Sequence, residues 1–303
     1  HRLGKLTADR PKCLLPFGEE TIIGRQYRLL MNVGLAPEDI YIVAGYCAGL
    51  LEKVGGCIVL NKRFYNTDNA YSLGLALTSL PEDQEGVLIM DGDLIFEQSV
   101  LEELFHAPVD SILVQSQPCT EGGTGVVLDA DRHILEIGKH LKQSECSFLS
   151  MMKLSYTAGK CLGAICMQPD NERNWYTVPL NRNLQQFPLK GLFTLGKVIG
   201  VNTFYDYIHA KDLFQIEACK IMVTGASGFL GKKLCSILER QYKVIGVSRN
   251  GSRNVDALDL LDTAQLQAFI ELKKPNIIIH TVAIADPNAC DQDHDTTYQV
   301  NVE

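Results

Sequence analysis

The stretch KIMVTGASGFLGKKLCSILER, residues 220–240, decides the fold of the C-terminal part of the chain. It begins with an apolar run, continues through Gly225, Gly228 and Gly231, and ends in a pattern typical of a helix. Glycines between a strand and a helix permit a tight turn, a close approach of backbone to a pyrophosphate, and close helix packing. The stretch therefore predicts a dinucleotide-binding domain.

The residues that follow extend this pattern into a β-α-β-α-β run. KVIGVSRN (243–250) and NIIIHTVA (276–283) are apolar enough for strands, and TAQLQAFIELKK (263–274) is amphipathic between them. The second strand ends without an acidic residue to bind a ribose 2′-hydroxyl, whereas Arg249 suits the 2′-phosphate of NADP. A solvated arginine is the alternative interpretation.

The N-terminal part alternates strand-like and helical segments, which predicts an α/β domain with a mostly parallel sheet. A helix is predicted over 21–34, and Ser99 with Glu102 forms a capping-box pattern that opens a second helix. We place the domain boundary between 218 and 219, giving domains 1–218 and 219–303. The predicted strands of the first domain are 39–46, 86–93, 111–115, 123–129 and 197–201.

Composition excludes several classes of function. The net charge is −8 over 303 residues, and no lysine- and arginine-rich run is interleaved with aromatics, so nucleic-acid binding has no electrostatic support. The apolar stretches are shorter than the roughly 20 residues that a membrane-spanning helix needs. The ten cysteines include no CxxC pair, which favours buried, reduced thiols in a cytoplasmic protein.

Two features of the first domain point to phosphate chemistry. Arg2, Lys5 and Lys12 surround a loop that contains Pro11, and such a loop could hold a polyphosphate. A solvated basic loop is the alternative. In GVLIMDGD (86–93) two aspartates follow a strand-like run at its carboxyl end, where Mg²⁺ and substrate phosphates would bind. A turn in which Asp91 and Asp93 accept hydrogen bonds from local amides is the alternative here.

The opening residues RLGKLTADRPKCLLPF (2–17) resemble the end of the nucleotide-binding signature of sugar-phosphate and alcohol-phosphate nucleotidyltransferases. NKRFYNTDNAYSL (61–73) resembles the phosphocholine cytidylyltransferases and their relatives. The resemblance covers about residues 1–217 and implies a mixed, mostly parallel α/β/α sandwich. Because the chain begins inside the signature, we expect the first strand and the leading glycine-rich loop to be missing.

The same resemblance implies transfer of a nucleoside monophosphate, with CTP favoured as donor, to a phosphorylated small molecule. DADRHILEIGK (129–139) resembles a hairpin of the family, whose lysine is a candidate for the acceptor phosphate; an exposed lysine at a strand end is the alternative. The implied roles are Arg2 and Lys12 on the phosphates, Asp93 on Mg²⁺, Asn69 and Ser72 near the nucleoside or acceptor, and Lys139 on the acceptor phosphate.

One departure from the family concerns the second metal ligand. The family writes YEIDTxxDL where this chain has YDYIHAKDL (205–213), which places Ile208 at the position of the ligand aspartate. Asp206 and His209 are the candidate substitutes. On a strand, a residue two positions away shares the same face and an adjacent residue does not, so Asp206 is the better substitute. A domain that binds nucleotide without turnover is the alternative function.

Residues 220–303 resemble the extended short-chain dehydrogenase/reductases, in particular the dTDP-4-dehydrorhamnose reductase branch. This implies an NADP- or NAD-binding Rossmann domain that stops before the family's catalytic tyrosine and lysine. The whole is then expected to be a bifunctional enzyme fragment of polysaccharide biosynthesis, with a nucleotidyltransferase joined to a truncated reductase or epimerase. The implied cofactor-binding residues are Gly225, Gly228, Phe229, Leu230, Gly231, Arg249, Asp259 (adenine) and Ala283 (nicotinamide side).

Overall fold

The structure, a computed structural model, describes residues 3–82, 85–119, 122–216, 219–240, 242–252, 254–284 and 286–302. Arg2 lies outside the described residues, so its phosphate contact stays a prediction. The chain divides into two compact units, His1–Asp206 and Tyr207–Glu303. This division falls inside a helix, ahead of the boundary placed at 218/219 from the sequence.

The first unit contains twelve strands and six helices among its described residues, the last helix crossing the division. The strands are β1 (Pro16–Phe17), β2 (Glu20–Thr21), β3 (Tyr41–Ala44), β4 (Cys57–Leu60), β5 (Gly86–Met90), β6 (Leu94–Phe96), β7 (Ser111–Gln115), β8 (Thr124–Leu128), β9 (Ile134–Gly138), β10 (Cys146–Ser155), β11 (Lys190–Phe193) and β12 (Val198–Gly200). The helices are α1 (Ile22–Asn32), α2 (Asn69–Ser79), α3 (Gln98–His106), α4 (Tyr156–Cys166), α5 (Thr177–Arg182) and α6 (Phe204–Leu213).

The main sheet of this unit is organised around β10. Its strand order is β11-β7-β10-β8-β9, and β5 also pairs with β10. β10 is antiparallel to β5, β7 and β8, while β11 and β7 are parallel. The predicted α/β class is confirmed, but the sheet is mixed around β10. This strand was not predicted, because CSFLSMMKLS (146–155) does not alternate regularly between apolar and polar residues.

Both faces of the sheet are buried, as an α/β/α sandwich requires. Along β7, Ile112 and Val114 belong to one apolar cluster and Leu113 to another, because successive side chains of a strand point to opposite faces. Leu162 of α4 packs in the first cluster and Leu104 of α3 in the second. The sheet is thereby fixed from both sides, which holds the ends of its strands in place.

The predicted start of α3 is wrong. The helix begins at Gln98, with Glu97 as its N-cap residue and no capping hydrogen bond from a side chain. The Glu97 carboxylate instead accepts a hydrogen bond of 3.0 Å from the backbone N–H of Lys197. The side chain that stands at the cap position is thus used to join the end of β6 to the start of β12.

The second unit is built on a four-stranded parallel sheet. In the strand order β15-β14-β13-β16, the later strands β14 and β16 pair with β13 on its two sides. The edge beside β13 where the strand order reverses is a topological switch point. The predicted Rossmann-like arrangement is confirmed. Its strands are β13 (Lys220–Thr224), β14 (Lys243–Ser248), β15 (Asp256–Ala257) and β16 (Ile277–His280), and its helices are α7 (Phe229–Leu238), α8 (Thr263–Lys273), α9 (Pro287–Gln292) and α10 (His294–Asn301).

All ten cysteines are free, but only Cys166 and Cys219 are buried, so the expectation of generally buried thiols is wrong in that respect. Within the described ranges, every helix is too short or too polar to cross a bilayer.

Candidate functional site

A cavity of about 600 Å³ in the first unit brings together most of the residues predicted to bind substrate. This volume lies in the range typical of small-molecule sites. Several chain segments that are distant in sequence line the cavity. They are 11–13, 68–69, 91–94, 122–124, 139, 148–150, 175–177, 198, 200, 202–203 and 206.

The basic loop and the acidic turn, predicted separately, meet at this cavity. Lys12 opens a short 3-10 helix, Lys12–Leu14, directly after Pro11. Its Nζ donates to Oδ2 of Asp93, which is 9% exposed, and to Oδ1 of Asn202 at 3.2 Å. A cationic group therefore already lies against the carboxylate that was predicted to bind Mg²⁺.

The turn that carries the aspartates is held by Gln26 of α1. Its Nε2 donates to the carbonyl oxygens of Asp91, at 3.1 Å, and Leu94, at 2.8 Å. Gln26 is only 3% exposed, and the sequence analysis missed it. A signal was available, because Gln26 is a polar residue on the apolar face of a predicted amphipathic helix. Gln26 therefore holds the backbone of the turn, while the side chains of Asp91 and Asp93 line the cavity.

Asp91 and Tyr176 are joined on the cavity wall through Ser150. The pKa of the Asp91 carboxyl is raised to about 6, because burial penalises its charge and Asp93 repels it; a hydrogen bond with Ser150 acts in the opposite direction. Burial also raises the pKa of Tyr176, which hydrogen-bonds Ser150 as well. Ser150 has a φ of 55° at an irregularity in the pairing of β10. This left-handed residue is of the kind that clusters at binding sites.

Asp206 has a role that the sequence analysis did not predict. Residues 204–213 form helix α6, so the argument from strand faces does not apply. Oδ2 of Asp206 accepts the backbone N–H groups of Asn202 (2.9 Å) and Thr203 (2.7 Å), while Asp206 N–H donates to Thr203 Oγ1 at 3.1 Å. This is a capping box, in which Asp206 fixes the turn between β12 and α6.

Ile208 and Asn202 differ in their distance from the Lys12–Asp93 pair. Ile208 is buried within α6, whereas Asn202 follows β12 and reaches Lys12. β12 pairs with β6, and Val201 N–H donates to the carbonyl oxygen of Asp93 at 2.9 Å. Asn202, and not Ile208, therefore lies beside the Lys12–Asp93 pair. The capping pattern TxxD at 203–206 was the signal for the helix start that follows it.

Asn69 and Ser72 have different environments. Asn69 lies on the cavity wall, and its Oδ1 accepts a hydrogen bond of 2.8 Å from the backbone N–H of Tyr176. Ser72 does not line the cavity; its hydroxyl accepts a hydrogen bond from Asn61 Nδ2 at 3.1 Å. The structure therefore brings Asn69 to the candidate site and leaves Ser72 in a supporting position.

Lys139 follows β9 and reaches the cavity wall beside Trp175. Its Nζ lies 2.9 Å from the centroid of the indole ring, and Trp175 is 44% exposed. Trp175 was not predicted as a site residue, since nothing in its local sequence distinguishes it from an ordinary surface aromatic residue. The pairing depends on the meeting of two segments remote in sequence.

In the second unit the three glycines form the predicted turn. Gly225 has a φ of 67°, which favours glycine, and a Cβ at Gly231 would overlap the carbonyl oxygen of Gly225. Gly228 is the N-cap of α7, and Phe229 and Leu230 form its exposed first turn. The backbone N–H groups at this helix start are therefore arranged as an anion site requires.

The remaining cofactor candidates lie near strand ends of the same unit. Arg249 Nε is 3.5 Å from Asp259 Oδ2, and both side chains are largely exposed. Ser248, at the end of β14, is buried, and its Oγ has no hydrogen-bond partner among the described residues. Ala283 is exposed and follows β16, the strand that pairs with β13. An unsatisfied buried hydroxyl beside Arg249 fits a site that a polar ligand completes.

A metal site made by the protein alone is absent from the part of the chain that the structure describes, where no three His, Cys, Asp or Glu side chains are grouped to hold an ion. Mg²⁺ in nucleotide enzymes is usually bound by one or two carboxylates together with substrate phosphates. Asp93 and the Asn202 amide oxygen, both beside the Lys12 cation, form a donor set of that kind.

Comparison with known proteins agrees with this division. Residues 1–147 match the MobA-like NTP transferase domain, and residues 221–303 match the NAD dependent epimerase/dehydratase family. The fold of the first unit is similar to that of the CTP:phosphocholine cytidylyltransferase from Streptococcus pneumoniae, with a TM-score of 0.56 and 16% identity over 70% of this chain and 93% of that one.

Two relatives are similar in sequence over parts of the chain. The CMP-5'-(3-aminopropyl)phosphonate synthase of Streptomyces rubellomurinus is 32% identical over 139 residues, or 43% of this chain and 21% of that protein. The GDP-6-deoxy-D-talose 4-dehydrogenase of Aggregatibacter actinomycetemcomitans is 36% identical over 67 residues, or 22% of this chain and 21% of that protein. The chain thus spans about a fifth of the length of each of these relatives. Its N-terminal part is thus similar to MobA-like NTP transferase domains, and its C-terminal part is similar to the NAD dependent epimerase/dehydratase family.

Proposed function

We propose that the first unit transfers CMP from CTP to a small molecule bearing a phosphate or phosphonate group and releases pyrophosphate. The observation that carries this proposal is the meeting of Lys12 and Asp93 in a cavity of suitable size. Similarity to a CMP-phosphonate synthase in sequence and to a CTP:phosphocholine cytidylyltransferase in fold favours cytidine and such an acceptor.

The chemistry asks little of the protein beyond positioning and charge neutralisation. An oxygen of the acceptor group attacks the α-phosphorus of CTP, the bond to the β-phosphate oxygen breaks, and pyrophosphate leaves. Lys12 donates to phosphate oxygens and offsets the negative charge that gathers at phosphorus. Lys139, on another wall of the cavity, binds the acceptor anion. No covalent intermediate with the protein is needed.

Mg²⁺ would be held by Asp93 and the amide oxygen of Asn202, together with phosphate oxygens of the nucleotide. When bound, it would supply further neutralisation of the triphosphate. Asp206, predicted from the sequence as a metal ligand, is proposed instead to hold Asn202 in place through its capping hydrogen bonds. Lys12 occupies the carboxylate in the present structure and would turn to the phosphates when the nucleotide binds.

Pyrophosphate release tests the activity directly. The full chain is incubated with Mg²⁺, each of the four nucleoside triphosphates in turn, and phosphocholine or 3-aminopropylphosphonate as acceptor. We expect release that depends on the acceptor and is fastest with CTP. Absence of acceptor-dependent release with every nucleotide would count against the activity, and a preference for another triphosphate would overturn the choice of CTP.

The second candidate function, nucleotide binding without turnover, is now favoured by Asn202 rather than by Ile208. A neutral amide at this position binds a divalent cation less strongly than a carboxylate does. If the chain binds CTP and releases no pyrophosphate, while Asn202→Asp releases it, the first unit is a binding module.

For an active wild-type chain, Asn202→Asp makes a quantitative prediction. The added charge beside Asp93 is expected to lower the Mg²⁺ concentration needed for half-maximal rate by about tenfold. Titration of Mg²⁺ at saturating CTP measures this shift, with Asn183→Asp as a control at an amide that does not line the cavity. An unchanged or increased Mg²⁺ requirement would show that Asn202 does not face the metal.

We further propose that the second unit binds NADP or NAD. The residues fit this group, because the absence of a Cβ at Gly231 lets the start of α7 pack closely on the glycine turn, and the Ser248 hydroxyl has no partner among the described residues. Gly225, Gly228 and the start of α7 would hold the pyrophosphate, and Arg249 with Ser248 would favour the 2′-phosphate of NADP. Reductase or epimerase activity is a proposal that rests on the family match. A place in polysaccharide biosynthesis is a proposal that rests only on the resemblance described from the sequence.

A further inference from the structure

We infer that Trp175 is a positioning residue for Lys139, holding its ammonium group on the cavity wall where the phosphate or phosphonate of the acceptor binds. This inference rests on the proposed function of the first unit and adds a residue to it. The ammonium nitrogen lies 2.9 Å from the ring centroid, over the face of the indole. Tryptophan provides the strongest cation–π attraction among the aromatic side chains.

The backbone around Trp175 is fixed on both sides, although its ring is 44% exposed. The carbonyl oxygen of Asn174 accepts from Ala70 N–H at 3.2 Å, and that of Trp175 accepts from Val178 N–H at 2.8 Å. Tyr176 N–H donates to Asn69 Oδ1 at 2.8 Å. An exposed tryptophan on such a rigid segment offers its face at low entropic cost, because the chain that carries it is already ordered.

The charges around Lys139 also place it toward the reacting groups. Lys139 and Asp91 line the same cavity, so the ammonium and the carboxylate groups face a shared space. A lysine between an aromatic face and a carboxylate keeps its charge on the cavity side. Without the ring, the flexible lysine stem could turn toward solvent, and fewer molecules would have the ammonium ready for the acceptor.

Fluorescence provides a direct test, because Trp175 is the single tryptophan of the chain. Inorganic phosphate and phosphocholine are titrated separately into the full chain, and choline alone serves as the comparison for the cationic part. We expect a saturable change of emission with both phosphate compounds, no change with choline, and loss of the phosphate response in Lys139→Gln. Lys142→Gln removes a charge from the same loop outside the cavity and should respond like the unchanged protein.

Steady-state kinetics separate positioning from a structural role. Trp175→Leu is expected to raise the KM for phosphocholine about three- to tenfold, with kcat and the KM for CTP within about twofold of the unchanged protein. Trp175→Phe retains an aromatic face and should recover part of the loss. A general structural defect would instead change both substrates' constants and would not distinguish Leu from Phe.

The outcomes distinguish this inference from the proposed activity. A phosphate response that persists in Lys139→Gln, a response to choline alone, or an unchanged acceptor KM in Trp175→Leu would overturn the inference even in an active enzyme. A phosphate response lost in Lys139→Gln supports the Trp175–Lys139 anion site even if no nucleotide gives pyrophosphate, in which case only the proposed activity fails.

Discussion

Asp93→Asn is expected to reduce acceptor-dependent release of pyrophosphate by roughly 10²- to 10³-fold, the range found when one group that stabilises a transition state is removed. The change removes the carboxylate that lies against Lys12 and that we propose as the metal ligand. An amide keeps the shape of the side chain, so the turn held by Gln26 should remain folded. The rate is measured with saturating CTP over a range of Mg²⁺ concentrations.

Asp131→Asn is the matched control for this variant. Asp131 is exposed on the loop between β8 and β9 and does not line the cavity, so the same chemical change there should leave the rate unaltered. The role proposed for this carboxylate would be contradicted if the Asp93→Asn variant released pyrophosphate at a rate within about threefold of the unchanged protein, because removal of such a group is expected to cause a much larger loss.

The second large effect is expected in the other unit, where Gly231→Ala should abolish measurable binding of NADPH and NADH. A Cβ at this position would overlap the carbonyl oxygen of Gly225, so the glycine turn or the start of α7 must move. Forced overpacking of this kind costs about 1–3 kcal/mol. Enhancement of NADPH fluorescence measures cofactor binding, and thermal unfolding of the full chain measures the loss of stability.

Ser236→Ala serves as the control on the same helix. Ser236 is exposed on α7 and lies away from the glycine turn at the start of that helix, so the substitution leaves the turn unchanged. We expect the unchanged protein to bind NADPH more tightly than NADH, and Ser236→Ala to retain that binding. Equal NADPH binding by the Gly231→Ala variant and the unchanged protein would show that the cofactor does not use this turn.

The strand ends could be predicted from the sequence because they combine an apolar run with a chemically distinctive ending. β7 was predicted at its observed bounds, and the glycine turn follows β13 as expected. Asp93 and Lys12 were predicted as separate features, and each had a non-functional alternative, an ordinary turn for Asp93 and a solvated basic loop for Lys12. Their contact could be seen only in the structure, since 81 positions separate them in the chain.

The parts that were missed depend on register and on distant packing. The strand assumed around Asp206 is a helix, so the reasoning from strand faces that selected Asp206 does not hold. The pattern TxxD at 203–206 indicates a helix start and would have corrected it. Trp175 could not have been predicted in the same way, because its position depends on the hydrogen bond between Asn69 and Tyr176 across 107 positions.

The central claim is that a cationic loop and an acidic strand end together bind a magnesium-chelated nucleotide. Calorimetric titration of CTP into the full chain tests it most directly, in Mg²⁺ and in EDTA, for the unchanged protein and for Lys12→Gln. We predict binding that requires Mg²⁺ and is at least about tenfold weaker in Lys12→Gln, because a charge-assisted hydrogen bond to phosphate is lost. Equal affinity of the two proteins for CTP, or equal affinity with and without Mg²⁺, would contradict the claim.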